Sequence, residues 1–261
     1  MRISLIVTTY NRADALFLVL ESIKNQSLEP FEVIIADDGS NNLTKIIIDK
    51  FTETSNLNVI HSFQEDLGFR VAESRNKAIA KASGDYIILI DGDMLLHPKF
   101  INDHATNATK GYYIQGSRVL LSPIKTEKVL NSKDTSLNIL DKGLNNKLNG
   151  IHSVFLTKLF STKSSFLKGV KSCNMSFYRK DCIKVNGFNG GFIGWGREDS
   201  EFVTRLFNKG VKRKNLKFSA IQYHLWHDES NRGSLTVNDE LLNKTISQNL
   251  NWCEIGIDKF L

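Results

Sequence analysis

Residues 86–93 read Tyr86-Ile87-Ile88-Leu89-Ile90-Asp91-Gly92-Asp93, an unbroken apolar run that ends in two carboxylates flanking a glycine. A strand with one wet face would alternate apolar and polar residues. A short continuous run instead predicts a strand covered on both faces. The same pattern recurs upstream, in residues 3–7 (ISLIV), 31–36 (FEVIIA) and 58–63. Between these runs lie helical periodicities. Leu16, Leu20 and Ile23 share a face, with Asn11 placed to cap it, residues 43–51 repeat the pattern, and residues 73–82 end at Ser83-Gly84 as a C-cap. Apolar strands alternating with helices predict an α/β fold: a Rossmann-like, mostly parallel central sheet flanked by helices.

Beyond Pro98 the rhythm changes. Residues 99–109 read as a helix and 112–121 (YYIQGSRVLL) as one strand. Residues 124–168 are rich in Lys, Asn and Ser with scattered Leu, Ile and Phe, and read as a basic, helical insertion with loops. Residues 198–208 carry an apolar stripe of Phe202, Val203, Leu206 and Phe207 that Gly210 can end. Residues 218–224 are strand-like, and 237–252 form a last amphipathic helix.

The 261 residues are 41% hydrophobic and 24% charged, which excludes a disordered tail, a collagen-like repeat and a disulfide mini-protein. The length suits one elaborated domain. No apolar run approaches the roughly 20 residues that span a bilayer, and the first residues lack a signal-peptide core, so a cytosolic protein is expected. Cys173, Cys182 and Cys253 form no C-x-x-C pair and are expected as reduced thiols. The net charge of +6 is unevenly spread. Residues 110–185 hold fourteen Lys and Arg against four Asp and Glu, so the remainder of the chain is net acidic. A basic patch can serve nucleic acid, an anionic membrane or a phosphorylated substrate.

Ligands in open parallel sheets bind outside the carboxyl ends of the strands. Three predicted strand ends carry chemistry: Thr8-Thr9-Tyr10-Asn11-Arg12, Asp37-Asp38-Gly39-Ser40 and Asp91-Gly92-Asp93. Each Asp-Gly motif alone is also an ordinary turn. Together, carboxylates from two strands would face one crevice and suit a hard cation such as Mg²⁺ or Mn²⁺ that also touches phosphates. There is no GxxxxGK[ST] or GxGxxG, against a P-loop ATPase or a dinucleotide dehydrogenase. Further on, Gly194-Trp195-Gly196-Arg197-Glu198-Asp199 sets an indole face between glycines. Its two acids either favour a helix N-terminus or include a general base. Tyr223-His224-Leu225-Trp226-His227-Asp228 adds two histidines, at least one of them a candidate metal ligand.

TTYNR, EVIIADDGS and YIILIDGDM, in this order and spacing, resemble the nucleotide-sugar half of glycosyltransferase family 2, the inverting enzymes of the GT-A fold. NGFNGGFIGWGREDSEFVTRL followed by YHLWHD resembles the C-terminal half of the β-1,4-galactosyltransferase and chondroitin-polymerase group. The resemblance covers residues 3–100 and 170–230. It implies a nucleotide-sugar half at 1–100, a linking strand and basic insertion at 101–170, and an acceptor and catalytic half at 171–261. It assigns donor contacts to Thr8, Thr9, Tyr10, Arg12, Asp37, Asp38, Asp66, Arg75, Asp91 and Gly92. Asp93 would ligate Mn²⁺ or Mg²⁺ with His224 or His227; relatives with His-x-His lack the extra residue, which leaves the choice open. Trp195, Gly196 and Arg197 would hold the acceptor, Glu198 would bond a sugar hydroxyl, and Asp199 would be the catalytic base.

The implied partners are a UDP-sugar donor and a glycan or lipid-linked glycan acceptor, in synthesis of bacterial surface polysaccharide. A sugar-nucleotide nucleotidyltransferase would also use acidic metal ligands but leaves the Gly-Trp-Gly-Arg-Glu-Asp turn unexplained. A non-catalytic basic binding protein would use the Lys-rich region. No nucleic-acid partner is expected, because the Asp clusters would repel a phosphate backbone. The basic surface is expected either to be a solvated face or to meet anionic lipid at the inner face of the cell membrane.

Overall fold

The computed structural model describes residues 1–228 and 231–261. The first part alternates as the sequence predicts: β1 (Ile3–Thr9), α1 (Ala13–Lys24), β2 (Glu32–Asp37), α2 (Asn42–Thr54), β3 (Val59–Phe63), α3 (Val71–Lys81) and β4 (Tyr86–Asp91). Then follow β5 (Met94–Leu96), α4 (Phe100–Asn107), β6 (Tyr112–Gln115), β7 (Ser117–Leu121), α5 (Pro123–Ser132), β8 (Leu144–Asn145), α6 (Val154–Phe160) and β9 (Thr162–Ser164). The chain closes with β10 (Asn174–Tyr178), α7 (Arg179–Lys184), α8 (Glu198–Asn208), β11 (Lys212–Asn215), β12 (Ile221–His224) and α9 (Leu235–Ser247).

The central sheet runs β3-β2-β1-β4-β10-β6-β11-β9, with the first four strands parallel. Their continuous apolar sequence has a direct cause. Tyr86, Ile88 and Ile90 of β4 join the core that holds α1 and α4, while Ile87 and Leu89 join the opposite core with α3 and α8. Leu5 and Val7 against Ile6 of β1, and Val33 and Ile35 against Ile34 of β2, divide in the same way, so both faces of each strand are dry.

Several local expectations are corrected. Residues 112–121 are two strands, not one, because the chain turns at Gly116 out of the central sheet into a second one, ordered β5-β12-β7-β8. A Cβ at Gly116 would stand 2.3 Å from Asn174 Oδ1. The buried Asn174 amide donates through Nδ2 to the carbonyls of Ser117 and Ala220 and accepts from His104 Nε2 at Oδ1, riveting the two sheets together. Asn11 does not cap α1. Arg12 occupies that position, and Asn11, at φ +50°, accepts from the Asn41 amide instead. Gly84 is no C-cap either. Helix α3 ends at an extended Ala82, and Gly84 lies so close to Ser4 that a Cβ would be 2.4 Å from its hydroxyl. The stretch 218–224 shortens to β12, since Phe218 and Ala220 are left-handed. The last helix begins at Leu235 and stops at Ser247, before the left-handed Asn249. The basic insertion is helical with loops as expected, but also contributes the short strands β8 and β9. All three cysteines are buried and free.

Helix α8 is held by a buried ion pair. Arg205, fully buried, donates to Glu201 Oε1 at 2.8 Å and Oε2 at 2.7 Å and also to the Val185 carbonyl, while Thr245 of α9 donates to Glu201. Removing one partner strands the other charge away from water. Glu201→Ala is therefore expected to cost about 3–5 kcal/mol of unfolding free energy. Urea denaturation checks this, and a loss under about 1 kcal/mol would contradict it.

Candidate active site

The carboxyl ends of β1, β2 and β4 lie side by side, so the predicted motifs converge. The Thr9 carbonyl accepts the Asp38 amide, and the Thr8 carbonyl accepts the Gly92 amide at 2.7 Å. A side chain at Gly92 would meet the Thr8 carbonyl at 3.0 Å, so this turn lies flat on β1. A Cβ on Gly39, at φ +92°, would stand 2.5 Å from the Asp66 Cα, so the glycine lets residues 64–70 pack close over the strand ends. There Tyr10 donates its hydroxyl to Asp66 at 3.0 Å.

Two cavities adjoin at this edge. The larger, about 730 Å³, is lined by Thr8, Thr9, Tyr10, Arg12, Asp38 and Gly92 together with Asp93 and His227. The second, about 520 Å³, is lined by Glu198, Asp199, Gly196, Arg197, Arg118 and Lys171. Phe69, Arg75, Asp91 and Trp195 line both and form the wall between them. Arg75 is the keystone of that wall. Its buried guanidinium donates to Glu198 at 3.0 Å and to Asp91 at 3.3 Å, and its carbon lies 5.3 Å from the centroid of the Phe188 ring.

Asp37 does not reach either cavity. It is 1% exposed, accepts the Ser40 amide at 2.8 Å and is bonded to His61 Nε2 at 2.9 Å. Burial alone would raise its pKa, but these bonds outweigh it and hold the carboxyl below its ordinary range. Asp38 accepts the Arg70 amide at 2.9 Å and a Gln64 amide proton, yet burial dominates and pushes it up. Asp66 stands at the exposed rim.

At the floor of the larger cavity, Asp93 meets both histidines. Pairing of β12 with β5 sets His224 opposite Met94, and Leu225, fully buried, donates its amide to the Asp93 carbonyl. His224 Nε2 lies 3.4 Å and His227 Nε2 3.2 Å from Asp93 Oδ2. One ligand atom from each of the three residues fits within a 4.8 Å cluster. Among the described residues, the buried Asp93 Oδ1 has no hydrogen-bond partner. His227 Nδ1 sits 2.6 Å from the Asp228 carbonyl, so it is the protonated nitrogen and Nε2 is left as the one aimed at Asp93. Burial would raise Asp93, but the two imidazoles outweigh it and hold the carboxyl well below its usual range. An orphaned carboxylate oxygen with two convergent imidazole nitrogens fits a divalent cation of the Mn²⁺ type. Asp91 is not in this trio; its carboxylate goes to Arg75.

The turn before α8 explains the sequence Gly194-Trp195-Gly196-Arg197. Gly194, Gly196 and Arg197 all have positive φ, and a Cβ on Gly194 would stand 2.3 Å from Ser234 Oγ. Buried Asn238 of α9 donates to the Gly196 carbonyl at 2.9 Å, and Asp239 pairs with Arg197. Trp195 remains 39% exposed at the shared wall, with the Arg232 guanidinium 5.3 Å from its ring centroid. Asp199 lies in the first turn of α8 and accepts the Ser200 amide at 2.6 Å. Burial, reinforced by the neighbouring Glu198 charge, pushes its pKa upward, toward that of a working general base. Phe69, Arg118, Lys171 and Asn238 escaped the sequence reading. Asn238 had a signal, as a polar residue on the inner side of an amphipathic helix. Phe69 lies between Asp66 and Arg75, in a stretch read only for those two residues, and Arg118 and Lys171 lie in segments without a motif.

The family described as "Glycosyl transferase family 2" matches residues 4–174, and the one described as "N-terminal domain of galactosyltransferase" matches residues 158–228. The chain is similar to the chondroitin synthase of Escherichia coli, 26% identical over 85% of this chain and 34% of that protein. It is also similar to the hyaluronan synthase of Pasteurella multocida, 30% identical over 85% of this chain and 24% of that protein. It thus spans a quarter to a third of these relatives. Among solved structures, Staphylococcus aureus TarS in complex with UDP aligns with a TM-score of 0.60 at 18% identity, over 93% of this chain and 64% of that one. The mannosyltransferase PcManGT of Pyrobaculum calidifontis, in complex with GDP-Man and Mn²⁺, also aligns at 0.60, with 19% identity over 91% and 60%. Both share its fold.

Proposed function

Because the chain belongs to glycosyltransferase family 2, we propose that it transfers a hexose or N-acetylhexosamine, with inversion, from a UDP-sugar to a hydroxyl of a glycan or lipid-linked glycan acceptor. The setting is assembly of bacterial lipopolysaccharide, O-antigen or capsule at the cytoplasmic face of the membrane. One observation carries this reading: two cavities share the wall of Phe69, Arg75, Asp91 and Trp195, with the Asp93–His224–His227 trio on one side and Asp199 on the other. A relative described as a hyaluronan synthase and a neighbour holding UDP support the sugar and the nucleotide.

In this reading residues 1–100 supply most of the donor site. Thr8, Thr9, Tyr10, Arg12, Asp38 and Gly92 surround the nucleotide, Asp66 acts through Tyr10, and Asp37 positions the β2 turn through Ser40 and His61. Asp93, His224 and His227 would hold Mn²⁺ or Mg²⁺, which would supply positive charge against the leaving diphosphate. Residues 171–261 supply the acceptor side. Trp195 offers its indole face to a sugar ring, Gly196 and Arg197 shape the turn, and Glu198, anchored by Arg75, bonds an acceptor hydroxyl. The middle residues 101–170 link the halves and lend Arg118 to the acceptor wall. Asp199 takes the proton of the acceptor hydroxyl. That oxygen bonds the anomeric carbon, and the bond from this carbon to the phosphate oxygen breaks, its electron pair leaving with UDP.

The test is a donor screen by UDP release with glycan acceptors, in Mn²⁺ and again in EDTA. UDP released only with acceptor and metal is the expected result. Pyrophosphate chemistry from UTP and a sugar phosphate would instead favour a nucleotidyltransferase. The pH profile adds a sign. A base whose pKa is raised is inactive until it deprotonates, so at saturating metal the acidic limb of kcat/KM should lie above the ordinary carboxylate range. Glu198→Gln removes the neighbouring charge and should move that limb to lower pH. A limb that does not move would remove Asp199 from the role of titrating base.

A further inference from the structure

We infer that α6 and the segment that follows it form a docking surface for an anionic lipid bilayer. Large apolar side chains normally leave solvent on folding. Here Phe155 is 70% exposed, Leu159 61% and Phe166 74%, and Val154 and Phe160 are exposed beside them. Only Thr157 of α6 is buried; its hydroxyl and the Ser153 amide both donate to the Phe218 carbonyl, tying one side of the helix to the fold. The apolar side is left outward. Five exposed large apolar side chains within the thirteen residues 154–166 mark an interaction site.

Charge selects the partner. Residues 142–180 contain eight Lys and Arg and no Asp or Glu. Lys158, Lys163 and Lys168 alternate with the apolar residues and are exposed. A second copy of this chain would set like charge against like charge. A nucleic acid would meet the lysines but give Val154 and Leu159 nothing apolar to cover. Anionic headgroups over an acyl boundary match both features, as they do for interfacial helices with basic flanks. No helix among the described residues is long and apolar enough to cross a membrane, so the contact is with the surface.

The position suits a transferase. Phe166 is four residues before Val170, where the wall of the second cavity begins, a span of at most about 14 Å of chain. A bilayer seated on Phe155 and Phe166 would bring a lipid-linked acceptor to the cavity that holds Asp199. That purpose rests on the proposed transfer, but the docking itself does not.

The test is co-sedimentation with vesicles of equal parts phosphatidylcholine and phosphatidylglycerol, against pure phosphatidylcholine, with UDP affinity measured in parallel. The intact chain should bind the anionic vesicles and be released by salt. Phe155→Ser with Phe166→Ser should abolish binding. Lys158→Glu with Lys168→Glu should weaken partitioning at least about fivefold per lysine. All variants should keep UDP affinity, because no substituted residue lines either cavity. Equal binding to both vesicle types, or unchanged binding of the phenylalanine variant, overturns the proposal. So does a dimer that this variant dissociates without any vesicle binding, or salt-sensitive binding to random DNA without vesicle binding. Vesicle binding in a chain that releases no UDP from any donor would sink the transferase reading alone.

Discussion

Asp199→Asn should abolish sugar transfer while UDP binds as before. Asparagine keeps the shape of the side chain and the acceptor for the Ser200 amide, but cannot take a proton. General-base catalysis is worth about 10²- to 10⁴-fold, so turnover should fall by at least that range. Asp199 does not itself line the donor cavity, so UDP affinity in Mn²⁺ reports whether the first site is intact. Stability gives an independent sign. A carboxylate whose folded pKa is raised costs stability once it ionises, so the cost is present above the folded pKa and absent below the unfolded one. A neutral amide removes it, and the variant should melt no lower than wild type near neutral pH. Near wild-type turnover would remove Asp199 as the base. Lost turnover together with a lower Tm would make the residue structural.

Asp93→Ala should erase metal-dependent donor binding. Asp93 is the one carboxylate of the trio, and its buried Oδ1, without a partner among the described residues, is the atom best placed to gain from a cation. Without it only two imidazoles remain and no carboxylate oxygen, a poor site for a hard cation. UDP affinity in Mn²⁺ should drop about a hundredfold or more, near 3 kcal/mol, and should converge on the wild-type value in EDTA. Calorimetry in both buffers checks this, and unchanged affinity in Mn²⁺ would refute the ligand assignment. His224→Ala and His227→Ala should each give a partial loss, because both Nε2 atoms face the same carboxylate oxygen.

Residue chemistry explains how far the sequence could be read. The strands β1, β2 and β4 were legible because they are dry on both faces, and every residue of the apolar run packs into one core or the other. The strand-end motifs were legible because parallel strands bring their carboxyl ends together whatever the loops do. Strand β11 was not, since Lys-Arg-Lys-Asn carries no apolar signal and pairs through its backbone. The break at Gly116 was hidden because Tyr112–Gln115 and Ser117–Leu121 are each strand-like, and only Asn174, far along the chain, separates them. The spacing of His224 and His227 left the choice of ligand open. Folding brings both together because Leu225 turns inward to the core and the chain bends around it. Asp37 was read as a donor contact, yet its carboxylate faces His61 from the neighbouring strand, a pairing that only the β2–β3 register creates. The lysines of the insertion were visible at once. That its phenylalanines stay outside was not, because α6 follows no amphipathic pattern long enough to show which side is covered.

The central claim is a single displacement with Asp199 drawing the proton from the acceptor. It is tested most directly by the anomeric configuration of the product. With an α-linked UDP-hexose as donor, proton NMR of the first-formed glycoside should show the β anomer alone. An α-linked product would mean retention, and would contradict a one-step transfer based on Asp199.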